Sequence, residues 1–229
     1  MKGKNQALLL YIILTGIFIS CLVTCNLIFL KFFSIKINFL NLTFNQSVGL
    51  IAYPVTFLIT DVISEVYGQK KANFVVISGI ISSIIILGIM YLAEIAPADL
   101  NSPVDNETFS LVFGEFGIAM AASLFTYLVC QLIDIRIFHF WKKLTHGKHL
   151  WLRNNLSTIF SQLIDTFLIL FLLMTLTGYP ENWPALKKLF INGFLFKMTV
   201  ALIDTPIIYI FVITIRKKFN LNVGEEIKL

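Results

Sequence analysis

The sequence predicts an all-α integral membrane protein with six transmembrane helices and both termini in the cytoplasm. Of the 229 residues, 57% are hydrophobic and only 14% are charged, whereas about a quarter of the residues in a soluble domain are charged. The apolar residues form six stretches of about 20 residues, the length that crosses a hydrocarbon core of about 30 Å. Basic residues are concentrated in alternate connections between these stretches. The whole chain, residues 1–229, is therefore expected to be a single polytopic membrane domain.

The six stretches are predicted to be helices rather than strands of a membrane barrel. Runs such as FVVISGIISSIIILGIM lack the period-two alternation of barrel strands. The first stretch is too long for the apolar part of a signal peptide, and no cleavage site with small residues follows it. The connections are short and leave no room for a soluble catalytic or nucleotide-binding domain. The predicted spans cover about residues 7–30, 48–68, 73–93, 115–137, 156–178 and 190–213.

The positions of the Lys and Arg residues assign an orientation to these helices. The N-terminus, the second and fourth connections and the C-terminal tail carry 13 of the 18 basic residues, and the other three connections carry 4. The fourth connection, which includes Arg136 and Lys142, is the most basic. Because basic connections remain in the cytoplasm, both termini are expected there. The orientation in the membrane accounts for the net charge of +5, which therefore does not indicate a nucleic-acid partner.

The second span carries two acids, Asp61 and Glu65, one helical turn apart. When YPVTFLITDVISEVYG (residues 53–68) is wound into a helix, polar and apolar residues separate onto two faces. The acids, together with Thr56, Thr60 and Ser64, are expected to face the interior of the bundle. The opposite face is expected to meet lipid and consists of Val55, Leu58, Ile59, Val62, Ile63 and Val66.

The last three spans have similar polar faces, whereas the first and third have none and are expected to form outer walls. On the fourth span the polar face consists of Ser123, Thr126, Tyr127, Cys130, Gln131 and Asp134. On the fifth it consists of Asn154, Ser157, Thr158, Ser161, Gln162 and Asp165. On the sixth it consists of Gly193, Lys197 and Asp204. The tetrapeptide QLID occurs in both the fourth and the fifth span, a pattern typical of the internal repeats of transporters.

Six charged residues therefore lie on the polar faces of the predicted spans, and their energetic cost indicates a function. Each charge near the bilayer centre costs about 2.5–3.5 kcal/mol on insertion scales. One interpretation is that these groups only hydrogen-bond between helices. Because four helices each direct an acid inward, a polar cavity at membrane depth is the better interpretation. The six residues are Asp61, Glu65, Asp134, Asp165, Lys197 and Asp204.

The sequence contains no pattern for catalysis, for a metal or for a cofactor. It has neither a nucleotide-binding G-x-x-x-x-G-K-[ST] loop nor an H-E-x-x-H zinc motif. The acids are spread over four helices and do not form the paired aspartates of an intramembrane protease. We therefore expect no catalytic residues, and an intramembrane enzyme is the remote alternative to a transporter.

Three segments carry a family resemblance: YPVTFLITDVISEVYGQKKAN, QLIDIRIFHFWKKLT and LWLRNNLSTIFSQLIDTF. Together, over about residues 50–206, they resemble the queuosine precursor transporter family, also called the VUT group. The resemblance implies a bacterial inner-membrane importer of 7-deazaguanine bases, which feed the queuosine modification of tRNA. It implies as substrate the cyano precursor preQ0, the aminomethyl precursor preQ1 or queuine.

For such a substrate, each polar residue has an expected role. Asp61, Asp134 and Asp165 form the polar core, and Lys197 neutralises an acid when no substrate is bound. Gln131 and Gln162 read the base, because amides can meet its carbonyl and the neighbouring edge. The remaining expectations are a stacking platform of Tyr53, Phe57 and Tyr127, a cytoplasmic gate of Glu65 and Arg136, an exit lined by Arg153, Asn154 and Asn155, and Asp204 on the polar side of the sixth helix.

Two modes of operation fit this reading. One is a self-sufficient carrier that works by alternating access, either as a facilitator or coupled to an ion. The other is a substrate-binding membrane subunit that needs a separate ATPase module. The sequence does not separate them, and it leaves the preferred deazaguanine, the coupling ion and any homo-oligomer open.

Overall fold

A computed structural model of the chain describes residues 2–29, 31–37, 42–114 and 117–228. Six of its helices are long and apolar enough to cross a membrane. These six are α1 (Lys2–Leu27), α2 (Tyr53–Tyr67), α3 (Gln69–Ile95), α5 (Gly117–Leu144), α6 (Leu150–Thr177) and α7 (Trp183–Phe219), where α2 reaches the required length together with the 3-10 helix before it, as the segment Val48–Tyr67. A short helix, α4 (Asn106–Phe113), lies between α3 and α5.

Most of these helices extend beyond the apolar stretches that predicted them. For example, α5 continues to Leu144 and α7 to Phe219, both past several basic residues. Hydropathy detects only the apolar part of a helix, whereas its hydrogen bonding continues into polar sequence. Residues 30, 115 and 116, which belong to the predicted first and fourth spans, lie outside the described part of the chain.

A β-hairpin lies in the connection between α1 and α2, where the sequence analysis placed only a loop. Strands β1 (Phe32–Ile37) and β2 (Leu42–Ser47) pair antiparallel, from Phe32 opposite Ser47 to Ile37 opposite Leu42. The segments FFSIKI and LTFNQS are rich in aromatic and β-branched residues, which favour strands. A short 3-10 helix (Val48–Ile51) then leads into α2.

Helix α2 lies in the centre of the bundle and packs against α1, α3, α5 and α7. The expectation that its apolar face meets lipid is therefore wrong. Val62, Ile63 and Val66 on that face are at most 2% exposed, because α1 and α3 cover them. The polar face is buried as well, as predicted, with Thr60 and Ser64 fully inaccessible.

Helices α1 and α3 form outer walls, as predicted. Ile12 and Ile17 of α1 are exposed, as are Ile81 and Ile85 of α3, and exposed apolar rows of this kind suit a lipid environment. The two walls cross closely at Gly79, where a Cβ atom would lie 2.5 Å from the Phe18 ring.

Both ends of the described chain lie at one end of the bundle. The Tyr67 hydroxyl donates to the carbonyl of Ala7 near the start of α1 (2.8 Å). The amide of Ile227, in the C-terminal tail, donates to the carbonyl of Val66 at the end of α2 (2.7 Å). We call this the terminal end, and the opposite end, with β1, β2 and residues 178–182, the hairpin end.

Candidate functional site

A cavity of about 620 Å³ extends into the bundle from the hairpin end. Its outer lining includes exposed residues such as Phe32 and Tyr179, and its inner lining includes the buried Asp165. This volume lies in the range of small-molecule sites, about 300–1,000 Å³. The cavity walls come from α1, the hairpin, α2, α5, α6 and α7. Uncharged polar residues along them include Asn26, Gln46, Ser123, Thr126, Asn182 and Asn192.

An ion pair between Asp165 of α6 and Lys197 of α7 forms the cavity floor. The carboxylate is almost completely buried, and the lysine side chain is 13% exposed. The Lys197 ammonium also lies over the ring of Tyr53, 5.2 Å from its centroid. The Tyr53 side chain also lies near the Asp165 carboxylate. The polar faces of α6 and α7 therefore meet at this point, where Asp165 and Lys197 form a hydrogen-bonded ion pair whose net charge is zero.

The three aromatic residues predicted as a stacking platform are in mutual contact beside this pair. Ring centroids are 5.3 Å apart between Tyr53 and Phe57, 5.7 Å between Tyr53 and Tyr127, and 6.0 Å between Phe57 and Tyr127. Tyr53 and Tyr127 line the cavity. Phe57 instead lines a chamber of about 30 Å³ on the other side of Lys197, together with Gln162 and Asp204.

The other two members of the predicted polar core, Asp61 and Asp134, lie in a layer below the floor. Both are at most 2% exposed, and neither lines the cavity. Their carboxyl groups are near neighbours, and Asp134 accepts a hydrogen bond from the Ser161 hydroxyl (2.9 Å). In the same layer Gln131 donates to Thr60. The structure thus separates Asp61, Asp134 and Gln131 from Asp165.

A third polar layer closes the bundle at the terminal end and is centred on Glu65. The Glu65 carboxylate, which is fully buried, binds Arg153 of α6 (2.7 Å) and Arg216 of α7. Lys142 of α5 lies 3.9 Å from it and donates to its backbone carbonyl (3.0 Å). Lys142 also binds Glu226 of the C-terminal tail (2.8 Å). We call these five residues the Glu65 cluster.

The prediction that Arg136 forms a gate with Glu65 does not match the contacts of these residues. Arg136 is exposed on α5, and the cations on Glu65 are those of the cluster. The sequence analysis had counted Lys142 and Arg216 as charges outside the spans. They are intrahelical instead, because α5 and α7 continue past their apolar stretches and carry these side chains inward.

The residues predicted to line an exit have separate structural roles. Arg153, besides binding Glu65, donates to the carbonyl of Lys148 (2.7 Å). Asn154 is buried. Asn155 donates to the Thr205 hydroxyl of α7 (3.0 Å) and so joins α6 to α7.

Sequence reasoning missed the cavity amides Asn26, Gln46 and Asn192. A signal existed for Asn26, which is the one amide in the predicted first span, residues 7–30. Its side chain donates to the carbonyl of Leu22 (2.9 Å). Gln46 had no such signal, because it becomes buried only when the hairpin folds over the cavity.

Helix α2 connects the three layers. Tyr53 belongs to the floor, Asp61 to the middle layer and Glu65 to the terminal end, and 12 helical residues span about 18 Å at 1.5 Å per residue. The arrangement is a cavity accessible from one end and closed at the other by two buried polar layers. A small polar molecule could enter to the floor and go no further without movement of the helices.

Comparisons with known proteins agree with this architecture. A family model described as "Putative vitamin uptake transporter" matches residues 47–211, the segment that holds most of all three layers. The chain is 29% identical over 166 residues to a protein of Bacillus subtilis (strain 168) named "Probable queuosine precursor transporter", an alignment that covers 71% of this chain and 70% of that protein. No solved structure matches the chain. The family match confirms the resemblance carried by the three motifs, and the chain belongs to the family of vitamin uptake transporters.

Proposed function

We propose that this protein imports queuosine precursors, the 7-deazaguanine bases, across the bacterial inner membrane by alternating access. The observation that carries the proposal is the one-sided cavity that ends at an ion pair beside an aromatic cluster. The name of the Bacillus subtilis relative and the family resemblance supply the substrate class.

The chemistry of the floor suits a guanine-like base. Such a base is flat, and stacking on an aromatic ring is worth about 1–3 kcal/mol per base; Tyr53 and Tyr127 offer rings on the cavity wall. Its carbonyl needs a donor, which Lys197 can supply. Its adjacent N–H groups need acceptors, and the amides Asn26 and Asn192 offer carbonyl oxygens.

In this proposal the Glu65 cluster is the inner gate. With the termini in the cytoplasm, as the basic residues predict, the cavity faces the periplasm and the cluster faces the cytoplasm. Release of substrate requires α2, α5, α6 and α7 to separate at the terminal end, which breaks the contacts of Glu65 with Arg153 and Arg216. The tail contact between Glu226 and Lys142 must also yield.

Complementation tests the function. A bacterium that neither makes queuosine nor carries its own importer would express this chain alone, receive each deazaguanine at low concentration, and be assayed for queuosine in its tRNA. We expect modification with at least one base. If the protein is present in the membrane and no base restores modification, an autonomous importer of these bases is ruled out.

Reconstitution separates the carrier from an ATPase-dependent subunit. Purified protein in liposomes would be given labelled base without any partner protein. A self-sufficient carrier takes up the base unchanged, whereas a subunit that needs an ATPase module binds the base without accumulating it. Chemical alteration of the base would instead indicate an enzyme.

A further inference from the structure

The charged residues that line the cavity balance each other. Among its described lining residues these are Asp165 and Lys197 at the floor and Glu181 and Lys188 near the mouth. The mouth residues are exposed, so solvent screens their charges. The floor pair, in contrast, is mostly buried and acts on a ligand at short range.

The acid of the floor pair already has a cation bound. Lys197 binds Oδ2 of Asp165 and so uses one of the two carboxylate oxygens. An ammonium group on a ligand would therefore compete with Lys197 for this carboxylate. A ligand cation held there would also lie against the Lys197 ammonium, whose side chain is only 13% exposed, so that water screens the repulsion only in part.

Among the residues that the structure describes, Asp165 is the one acid that lines the cavity at its floor. Asp204 lines the chamber on the other side of Lys197, and that chamber, at about 30 Å³, is much smaller than the cavity of about 620 Å³. Asp61 and Asp134 lie in the layer below and do not line the cavity. A cation that descends the cavity thus meets the Lys197 ammonium first.

The Lys197 ammonium is at the same time a good partner for an uncharged acceptor. An ammonium has three donors, and one of them is used on Asp165. The remaining donors can bind a carbonyl or nitrile that carries no charge. The Tyr53 ring already lies against the Lys197 ammonium, 5.2 Å from Nζ to its centroid, and this contact helps to hold the lysine at the floor.

We infer that Lys197 is the specificity-determining residue of the cavity and makes it select uncharged deazaguanines over those that carry an ammonium group. The inference rests on the proposed function and names the substrate class within it. Asp165 is then the anchor of Lys197 and not the primary ligand of the substrate.

Equilibrium binding to the full chain in lipid nanodiscs tests this inference. Labelled 7-cyano-7-deazaguanine is the neutral probe, and unlabelled 7-aminomethyl-7-deazaguanine is the cationic competitor. For the unsubstituted protein we expect the neutral base to bind at least about tenfold more tightly, because the Lys197 ammonium repels a second cation at contact distance.

Substitution of Lys197 should reverse this preference. Lys197→Met leaves the Asp165 carboxylate free, so the aminomethyl base should gain about tenfold in affinity while the cyano base loses a donor. The double variant Asp165→Asn/Lys197→Met, which removes both charges, should bind the two bases about equally. Lys187→Met is the matched control, because Lys187 is exposed on the same helix and does not line the cavity.

The outcomes distinguish this inference from the proposed function. If the unsubstituted protein prefers the aminomethyl base, or if Lys197→Met leaves the ratio of affinities unchanged, the inference is wrong while the proposed function stands. If neither base binds to protein that shows a cooperative thermal transition, both are wrong. A double variant that retains the preference would place the selectivity outside the floor pair.

Discussion

Asp165 and Glu65 show how the protein accommodates acids at membrane depth. Each carboxylate is paired with cations from neighbouring helices: Asp165 with Lys197, and Glu65 with Arg153 and Arg216. The two pairs differ in accessibility, because Asp165 borders the cavity whereas Glu65 and Arg153 are completely buried. We therefore expect changes at Asp165 to affect mainly transport and changes at Glu65 to affect mainly stability.

Replacement of Asp165 by Asn should abolish uptake and preserve folding. The amide keeps the size of the side chain but cannot hold the Lys197 ammonium in place, and the lysine can still reach water through the cavity. Uptake of labelled base, normalised to the amount of protein in the membrane, should fall by at least about tenfold, the effect of 1.4 kcal/mol. Glu107→Gln, on the exposed helix α4, is the control. Unchanged uptake by Asp165→Asn would remove Asp165 from the site.

Replacement of Glu65 by Gln should destabilise the protein strongly. Arg153 is 0% exposed, and removing one partner of a buried ion pair costs about 3–5 kcal/mol because the remaining charge is left uncompensated. Thermal unfolding in detergent would measure the effect, with the exposed Glu181→Gln as a control that should unfold like the parent protein. Parent-like stability of Glu65→Gln would show that the cluster does not hold the terminal end together.

The helices are positioned by the residues at their ends as well as by the packing of their apolar faces. Helix α2 ends at Tyr67 and α3 begins at Gln69, so the chain reverses direction at a single residue, Gly68. Its backbone angles, φ 84° and ψ 171°, lie in a region that is essentially restricted to glycine. The side chain of Glu226 packs against the position that a Cβ atom would occupy. Gly68 therefore links the α2–α3 turn to the C-terminal tail.

Two glycine substitutions should have opposite effects on stability. Gly68→Ala should lower the free energy of unfolding by about 1–3 kcal/mol because of its backbone conformation. Gly88→Ala, in the middle of α3 with open space around it, should be neutral or raise the free energy of unfolding by up to about 1 kcal/mol, because alanine favours helix. Thermal unfolding of the two variants side by side is the measurement. Equal shifts would contradict the assigned role of Gly68.

At the scale of the whole molecule, the protein is a multi-pass membrane protein with a cavity that is open on one side only. Two walls, α1 and α3, present apolar residues outward, and the other four spanning helices surround the polar layers. Both ends of the described chain meet at the closed end, where the tail contacts α2 and α5. The charges that close the bundle and the basic residues that predict its orientation thus occur at the same end.

Cysteine labelling should reveal this asymmetry in cells. In a background with Cys21, Cys25 and Cys130 replaced by Ala, Asn192→Cys should react with a membrane-impermeant thiol reagent added outside, because Asn192 lines the cavity. Ser161→Cys, in the buried layer with Asp134, should react at least about tenfold more slowly, as expected for a group reached only by opening of the bundle. Added substrate should protect Asn192→Cys. Equal labelling of both positions would contradict a cavity that is closed below its floor.

The sequence by itself determined the features that depend on local composition and period. The six helices follow from apolar length, the inward direction of the acids on α2 and α6 follows from helical spacing, and the family follows from three long motifs. The hairpin was missed because its strands are short and their pairing is non-local. Its segments carry a strand preference, but only pairing with each other turns that preference into structure.

Only the tertiary structure decided which polar groups are partners. Sequence spacing showed that Asp61, Asp134 and Asp165 all face inward, but their depth and their neighbours depend on how four helices pack against one another. That packing assigned Lys197 to Asp165, gave Glu65 the cations Arg153 and Arg216 in place of Arg136, and buried the apolar face of α2 under α1 and α3. A helical period fixes the direction of a side chain about its own axis, whereas partners are fixed by contacts between residues far apart in the chain.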